Sequence, residues 1–312
     1  EYYDNIEALG SGLNVATLVG HDTLRRNADM PAERAFLLEN ALLEGAWGMS
    51  SNFSFAARTS EGEEEIKGLL KVVKKHDGLY KIHLRDEGRN FLPSVSAAIS
   101  LARESGARTV ISHLKAVGRG AWNDFPAALR MLREAQKDGV DISFDVFPYL
   151  RTGSMLASFL PSWVRVQKND VILQYLSDKK KRAEIMAEIK NATLHSDRIL
   201  FASATGDKGI IGQTLAELSR RAALSPEEVI LDILRINNLN VSIFGKTISA
   251  RNLLMAAAEQ GGIVASNGAG YDTAFQRFGD LAHPRSFGAF PRFFRAISPL
   301  AKISLSDVIT KM

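Results

Sequence analysis

The chain has 312 residues, of which 46% are hydrophobic and 24% are charged, and its formal net charge is +4. No apolar run approaches the roughly 18 to 20 residues of a membrane-spanning helix, so we expect no membrane partner. The basic residues are spread along the chain rather than gathered with aromatic ones, which argues against nucleic-acid binding. The absence of cysteine excludes disulfides and thiolate metal ligands within these residues and favours a cytoplasmic location.

Strand and helix patterns alternate through the first half of the chain. Strands are predicted at 14–19, 46–51, 79–83, 110–113 and 141–147. A helix begins at Pro31 and stops at Gly45, and the next begins at Thr59-Ser60 and stops near Gly78. Two further helices are predicted at 93–105 and 124–138. The order βαβα is typical of a parallel sheet with helical crossovers.

The alternation of strands and helices becomes less regular between 150 and 261, which indicates an elaborated crossover. Helices are predicted at 171–190, 214–221 and 249–259, and short strands at 198–202 and 240–244. Ser225 to Glu228 form a capping box, which predicts a helix through Ile236. A last buried strand, 263–266, delivers Asn267 to a loop that we expect to reach Arg295 and to contact substrate.

Parallel strands with helical crossovers build either a doubly wound sheet or a closed barrel. We favour the barrel, because no GxGxxG turn follows the first strand and polar residues recur at the ends of many strands, as in barrel active sites. These strand-end residues are His21, His83, His113, Tyr149 and Asn267. The predicted fold class is therefore α/β, with a TIM-barrel-like (β/α) core.

Two histidines at successive strand ends, His83 and His113, are the best metal-site candidate. Two imidazoles supply part of a catalytic zinc shell, which takes about three protein ligands and leaves a position for water. Such a site hydrolyses an amide when a nearby carboxylate shuttles the proton. Lys115 either holds an anionic group or is a solvated lysine. Asp86 and Glu87 either orient a histidine or lie in an exposed loop.

Seven segments, taken in chain order, resemble the D-aminoacylase (N-acyl-D-amino-acid deacylase) family of the amidohydrolase superfamily. They are NVATLVGHDTLR, GAWGMSSNF, IHLRDEG, VISHLKAVG, DVFPY, SNGAGYD and HPRSFGAFPR. The resemblance implies a metal-dependent barrel that hydrolyses N-acyl-D-amino acids to a carboxylate and a free D-amino acid. It makes His83 and His113 zinc ligands. It places four residues where the family binds the substrate's α-carboxylate, namely Lys115, Tyr149, Ser154 and Arg285.

The chain departs from the family pattern in two ways. The family's His-x-His pair and its zinc-ligating cysteine do not occur, so we expect one incomplete barrel domain over 1–312, without the first strands and a flanking small β domain. The resemblance makes two of the eight strand candidates part of an insertion at about 151–261. Asn267 stands where the family has its acid/base aspartate, which predicts impaired catalysis. Asp272 is an alternative carboxylate five residues on.

Other functions stay open at the level of sequence. One is another amidohydrolase activity, either dihydropyrimidinase-like or D-dipeptide-cleaving. The other is a non-catalytic relative that binds acylated amino acids or a protein partner, which Asn267 and the missing ligands favour.

Overall fold

The computed structural model describes residues 2–52, 60–191, 195–271 and 279–312, and within them nine strands form two sheets. The strands are β1 (Val19–Gly20), β2 (Gly48–Asn52), β3 (Leu79–His83), β4 (Arg108–Ile111), β5 (Ile142–Val146), β6 (Arg151–Met155), β7 (Ile199–Ala204), β8 (Val241–Lys246) and β9 (Gly262–Val264). The chain folds into two compact units.

Helices alternate with these strands. The α-helices are Tyr2–Leu9, His21–Asn27, Pro31–Leu43, Ser60–Lys75, Phe91–Ser105, Arg119–Trp122, Phe125–Lys137, Ser162–Arg165, Asn169–Ser177, Lys179–Asn191, Leu215–Ala222, Pro226–Ile236, Ala250–Ala258, Arg285–Arg292, Ser298–Leu300 and Leu305–Lys311. Short 3-10 turns span Leu156–Phe159, Ser196–Arg198 and Lys208–Ile210, and a π-helical turn spans Phe293–Ile297. Among the helices described, none has both the length and the apolar character needed to cross a membrane.

The first unit comprises 1–147, 251–265 and 293–312. Its six strands are all parallel and lie in the order β1-β2-β3-β4-β5-β9. Strand residues such as Tyr80, Ile82, Ile111 and Phe144 are fully buried, as expected for a parallel sheet covered by helices. This sheet confirms the predicted α/β fold and is consistent with part of a TIM-barrel-like core.

The second unit comprises 148–250 and 266–292 and contains an antiparallel sheet in the order β6-β8-β7. The strands β7 and β8 are the two that the resemblance assigned to an insertion. The capping box before Pro226–Ile236 is confirmed: Glu228 N donates to Ser225 Oγ at 3.2 Å, and Ser225 N donates to Glu228 Oε2 at 3.0 Å. The single domain over 1–312, with an insertion at about 151–261, stays a prediction.

Three local predictions were wrong. Residues 285–292 form a helix rather than a loop, and β6 was not foreseen. The glycine-, aromatic- and arginine-rich composition predicted the loop, but the helix accommodates Gly288 and Pro291, and a Cβ on Gly288 would lie 2.7 Å from Tyr149 Oη. The first strand is limited to Val19–Gly20, because the residues before it are mostly exposed. Thr59, the predicted helix start, lies outside the described residues.

Candidate active site

The two candidate histidines lie at the carboxyl ends of adjacent parallel strands in the first unit. His83 is the last residue of β3, and His113 follows β4 by two residues. The amide of Ser112 donates to Ile82 O at 2.8 Å, which carries the strand pairing one residue past β4. His113 then leaves the extended conformation with φ of +44°. This turn directs its ring toward His83.

The imidazole rings of His83 and His113 are in direct contact. His83 Nδ1 lies 2.9 Å from His113 Nε2, and the two rings meet edge to face with centroids 4.6 Å apart. His113 is buried, whereas His83 is partly accessible. The structure therefore brings together the two residues that the sequence proposed as a pair.

Glu87 and Lys115 complete this cluster. Lys115 Nζ lies 2.8 Å from His113 Nδ1 and forms an ion pair with Glu87. Glu87 Oε1 is 3.1 Å from the same Nδ1 atom. Lys115 is only 9% exposed, so the interpretation of a solvated lysine is wrong. Glu87 contacts the histidine, whereas Asp86 accepts hydrogen bonds from Gly88 N and Asn90 Nδ2 within the loop.

The charges of the cluster follow from its burial. Burial lowers the pKa of His83 to about 4, against an opposing effect of Glu87, so this imidazole is neutral at pH 7. Burial alone would raise the pKa of Glu87, but the charge of Lys115 and the hydrogen bond with His113 outweigh it and hold the pKa at about 2. The cluster therefore contains a neutral imidazole and an ionised carboxylate, both forms that bind metal ions.

The donor set fits a zinc ion. His83, Glu87 and His113 present ligand atoms within 4.8 Å of one another, but Glu87 Oε1 lies 3.1 Å from His113 Nδ1, so the facing nitrogens of the two histidines are the candidate ligands and Glu87 supports one of them.

Metal binding by the two facing nitrogens would require one tautomer of His113. Both facing nitrogens, His83 Nδ1 and His113 Nε2, must then offer lone pairs, so His113 must carry its proton on Nδ1. Glu87 Oε1 lies 3.1 Å from Nδ1 and can accept that proton's hydrogen bond. A carboxylate in this position orients a metal-binding histidine and makes it more basic.

Asp145, which sequence reasoning missed, supports the turn at His113. It lies on β5 and is 1% exposed. Its Oδ1 accepts a hydrogen bond from His113 N at 2.7 Å, and its Oδ2 forms an ion pair with Lys81 Nζ at 2.9 Å. The available signal was the aspartate of DVFPY, an acidic residue inside a near-continuous apolar run.

Four other predicted site residues belong to the second unit. Ser154 and Arg285 line a hollow of about 340 Å³ together with Phe244, Tyr271 and His283. Tyr149 instead stacks under the Arg292 guanidinium, 4.9 Å from its ring, and donates to Pro284 O. Asn267 is exposed, with a left-handed φ of +46°. Asp272 lies outside the described residues.

His283 is a second residue that sequence reasoning missed. Its ring Nε2 lies 3.0 Å from Arg151 O, and its Nδ1 accepts a hydrogen bond from Arg285 N at 3.1 Å. Burial, and then the charge of Arg285, lower the pKa of His283 to about 4. It is therefore a neutral imidazole that fixes the start of the helix bearing Arg285.

Curated proteins include homologues over part of the chain. N-acyl-D-glutamate deacylase from Alcaligenes xylosoxydans xylosoxydans is 30% identical over 165 residues, which is 50% of this chain and 34% of that protein. D-aminoacylase from the same organism is 30% identical over 166 residues, which is again 50% of this chain and 34% of that protein. The alignments thus span about a third of the length of these relatives. No protein-family model matches the chain.

Solved structures match the whole chain. N-acyl-D-glutamate deacylase from Bordetella bronchiseptica, complexed with zinc and a phosphonate inhibitor, superposes with a TM-score of 0.76 at 21% identity, covering 100% of this chain and 59% of that one. A crystal structure of D-aminoacylase superposes with a TM-score of 0.73 at 24% identity and with the same coverage of the two chains.

The chain therefore has the α/β fold seen in the solved structures of N-acyl-D-glutamate deacylase and D-aminoacylase. More particularly, the homologues it resembles in sequence are D-aminoacylase and N-acyl-D-glutamate deacylase, which confirms the resemblance that the motifs carry.

Proposed function

We propose that this chain belongs to an enzyme that hydrolyses the amide bond of N-acyl-D-amino acids with zinc, releasing a carboxylate and a D-amino acid. The observation that carries the proposal is the contact between His83 and His113, 2.9 Å apart at the carboxyl ends of β3 and β4. The names of its homologues and the zinc bound in a structural relative support it.

In this proposal His83, through Nδ1, and His113, through Nε2, would hold the zinc ion. Zinc held there would supply Lewis acidity, which activates water and polarises a carbonyl group. Glu87, rather than Lys115, would then be the hydrogen-bond partner of His113 Nδ1, and Lys115 places a buried ammonium group beside the pair. The side chains of this chain thus orient the lone pairs of both rings.

The substrate's α-carboxylate is assigned to Lys115 and Arg285, with Tyr149 and Ser154 as further substrate-binding residues. The guanidinium of Arg285 lies in the hollow that Ser154 also lines, and a planar fork of donors suits a carboxylate. The proposed partner is thus a small molecule, with neither nucleic acid nor a membrane involved. The lack of cysteine supports a cytoplasmic location.

Asn267 occupies the position proposed for the acid/base group. An amide side chain does not take up a proton at neutral pH, so we infer that turnover is impaired. The same residue favours a second candidate function, in which the chain binds acylated amino acids without cleaving them.

The test combines metal content with turnover. The full chain is expected to bind zinc, and His83→Ala and His113→Ala are expected to lose it. His76→Ala, at a histidine paired with Glu39, is the control that retains zinc. Asn267→Asp is expected to raise hydrolysis of N-acetyl-D-amino acids, whereas Asn240→Asp, at an exposed asparagine of the same unit, leaves it unchanged.

The two candidate functions give different results. Hydrolysis by Asn267→Asp that stops with a chelator supports the enzyme. Ligand binding that is indifferent to the chelator, with no hydrolysis of either enantiomer by Asn267→Asp, supports the binding protein and refutes the enzyme.

A further inference from the structure

We propose that Asp145 is a positioning residue that holds His113 in its metal-binding conformation and that its ion pair with Lys81 orients the carboxylate that does so. The inference rests on the proposed zinc site but concerns Asp145, to which the DVFPY segment assigns no role, and Lys81, which lies outside the seven segments.

His113 adopts a left-handed backbone conformation, which is uncommon for a residue other than glycine. Two consecutive amides of this turn are bound by one residue of β5. His113 N donates to Asp145 Oδ1 at 2.7 Å, and Leu114 N donates to Asp145 O at 2.8 Å. Asp145 therefore fixes the turn through both its side chain and its main chain.

The carboxylate of Asp145 is also an ion-pair partner. Its Oδ2 lies 2.9 Å from Lys81 Nζ, while the side chain itself is only 2% exposed. A buried carboxylate without a nearby cation is strongly unfavourable, so the ion pair with Lys81 stabilises the Asp145 side chain in this position. Lys81 and His83 are two residues apart on β3 and lie on the same face of the strand.

The two oxygens of Asp145 thus face two different groups. Oδ1 accepts a hydrogen bond from the His113 amide, and Oδ2 forms an ion pair with the Lys81 ammonium group. An asparagine has only one acceptor oxygen, so its NH₂ group must face either the amide or the ammonium group. Asp145→Asn is therefore expected to disturb the His113 turn although it is nearly the same size.

This chemistry predicts a rescue. When Lys81 is replaced by methionine, the asparagine can direct its oxygen to the His113 amide and its NH₂ group away from any ammonium. Lys81→Met/Asp145→Asn should therefore restore the turn. Lys81→Met/Asp145→Ala should not, because alanine offers no acceptor.

The first measurement is zinc affinity, determined by competition with a chelator at a temperature where circular dichroism shows every variant folded. Asp145→Asn is expected to weaken zinc binding roughly 10- to 100-fold, the usual effect of losing an outer-shell partner. Lys81→Met/Asp145→Asn should return to within about threefold of the wild type, whereas Lys81→Met/Asp145→Ala stays at least about tenfold weaker. Asp141→Asn, at an exposed aspartate beside the same strand, should bind zinc as the wild type does.

The second measurement is hydrogen exchange of the His113 amide in the metal-free protein. Exchange should be at least about tenfold faster in Lys81→Met/Asp145→Ala than in Lys81→Met/Asp145→Asn, because only the second retains an acceptor. The Ser112 amide, which donates to Ile82 O, is the internal reference and should exchange equally in both. This comparison does not require zinc, so it separates failure of the inference from failure of the proposed function.

A purely structural role for Asp145 predicts a different pattern. Zinc affinity would then not distinguish the Asn and Ala double variants once both are folded, and their His113 amides would exchange alike. Either result overturns the proposal.

Discussion

The Oε1 atom of Glu87 lies 3.1 Å from the Nδ1 atom of His113, on the side of the ring opposite the nitrogen that faces His83. Lys115 contacts the same two groups. The carboxylate and the ammonium therefore compete to set the tautomer of His113. Only the carboxylate, by accepting from Nδ1, leaves the facing Nε2 free of its proton.

Removal of Glu87 should weaken the metal site without removing a histidine. In Glu87→Ala the Lys115 ammonium donates to Nδ1 and holds the proton on Nε2, so we expect zinc affinity to fall roughly 10- to 100-fold. Glu87→Ala/Lys115→Met should recover part of this loss. Asp86 is adjacent to Glu87 in sequence but is hydrogen-bonded to Gly88. Asp86→Ala should therefore leave zinc affinity within about threefold of the wild type. Equal effects of the two alanine variants would contradict this tautomer assignment.

Arg285 should determine affinity for the substrate's carboxylate. We expect Arg285→Met to weaken binding of an N-acetyl-D-amino acid at least about tenfold, with Arg285→Lys between it and the wild type, because lysine lacks the planar fork. Titration calorimetry measures the binding, and Arg220→Met, at an exposed arginine of the same unit, is the control. An analogue whose carboxylate is replaced by an amide should bind all four proteins alike. If Arg285→Met weakens binding of this analogue as much as it weakens binding of the carboxylate ligand, the role assigned to Arg285 is wrong.

His283 should make the second unit sensitive to acid. Its folded-state pKa of about 4 lies below the value of about 6.5 for an exposed histidine, so between these values the unfolded chain binds a proton that the folded chain does not. The free energy of unfolding should therefore fall as the pH drops from about 6.5 to 4, by at most about 1.4 kcal/mol per pH unit for one proton.

Denaturant titrations between pH 7 and pH 4 measure this dependence. His283→Gln should reduce the dependence of the unfolding free energy on pH. His76→Gln, at the partly exposed histidine that pairs with Glu39, is the matched control substitution. An unchanged slope in His283→Gln would rule out His283 as its source.

Gly48 is required by the close approach of β2 and β3. Its φ is +152°, and a Cβ there would lie 1.8 Å from Leu79 O. We expect Gly48→Ala to lower the free energy of unfolding by at least about 2 kcal/mol, since backbone atoms must move to admit the methyl group. Gly68→Ala, in the exposed face of a helix with no atom within 4 Å of the new Cβ, should instead raise it by about 0.4 to 1 kcal/mol. Urea denaturation measures the change in the free energy of unfolding for both variants. Changes of the same sign would contradict the prediction.

Much of the first unit was predictable because its signals are local. Pro31–Leu43 begins at the predicted proline, and the residues of β3 were predicted from their apolar run and its closing histidine. The helix Arg285–Arg292 was not predicted, since Gly288 and Pro291 are loop-forming residues unless a close contact or a helix end accommodates them.

The sequence by itself determined the order of strands and helices and the pairing of His83 with His113, because side-chain periodicity and strand ends depend on neighbouring residues. Only the tertiary structure decided that Glu87 contacts His113 and that Asp145 binds the His113 amide 32 residues away. The physical reason is that such contacts depend on strand register and on a left-handed turn, and neither leaves a periodic signal in the chain.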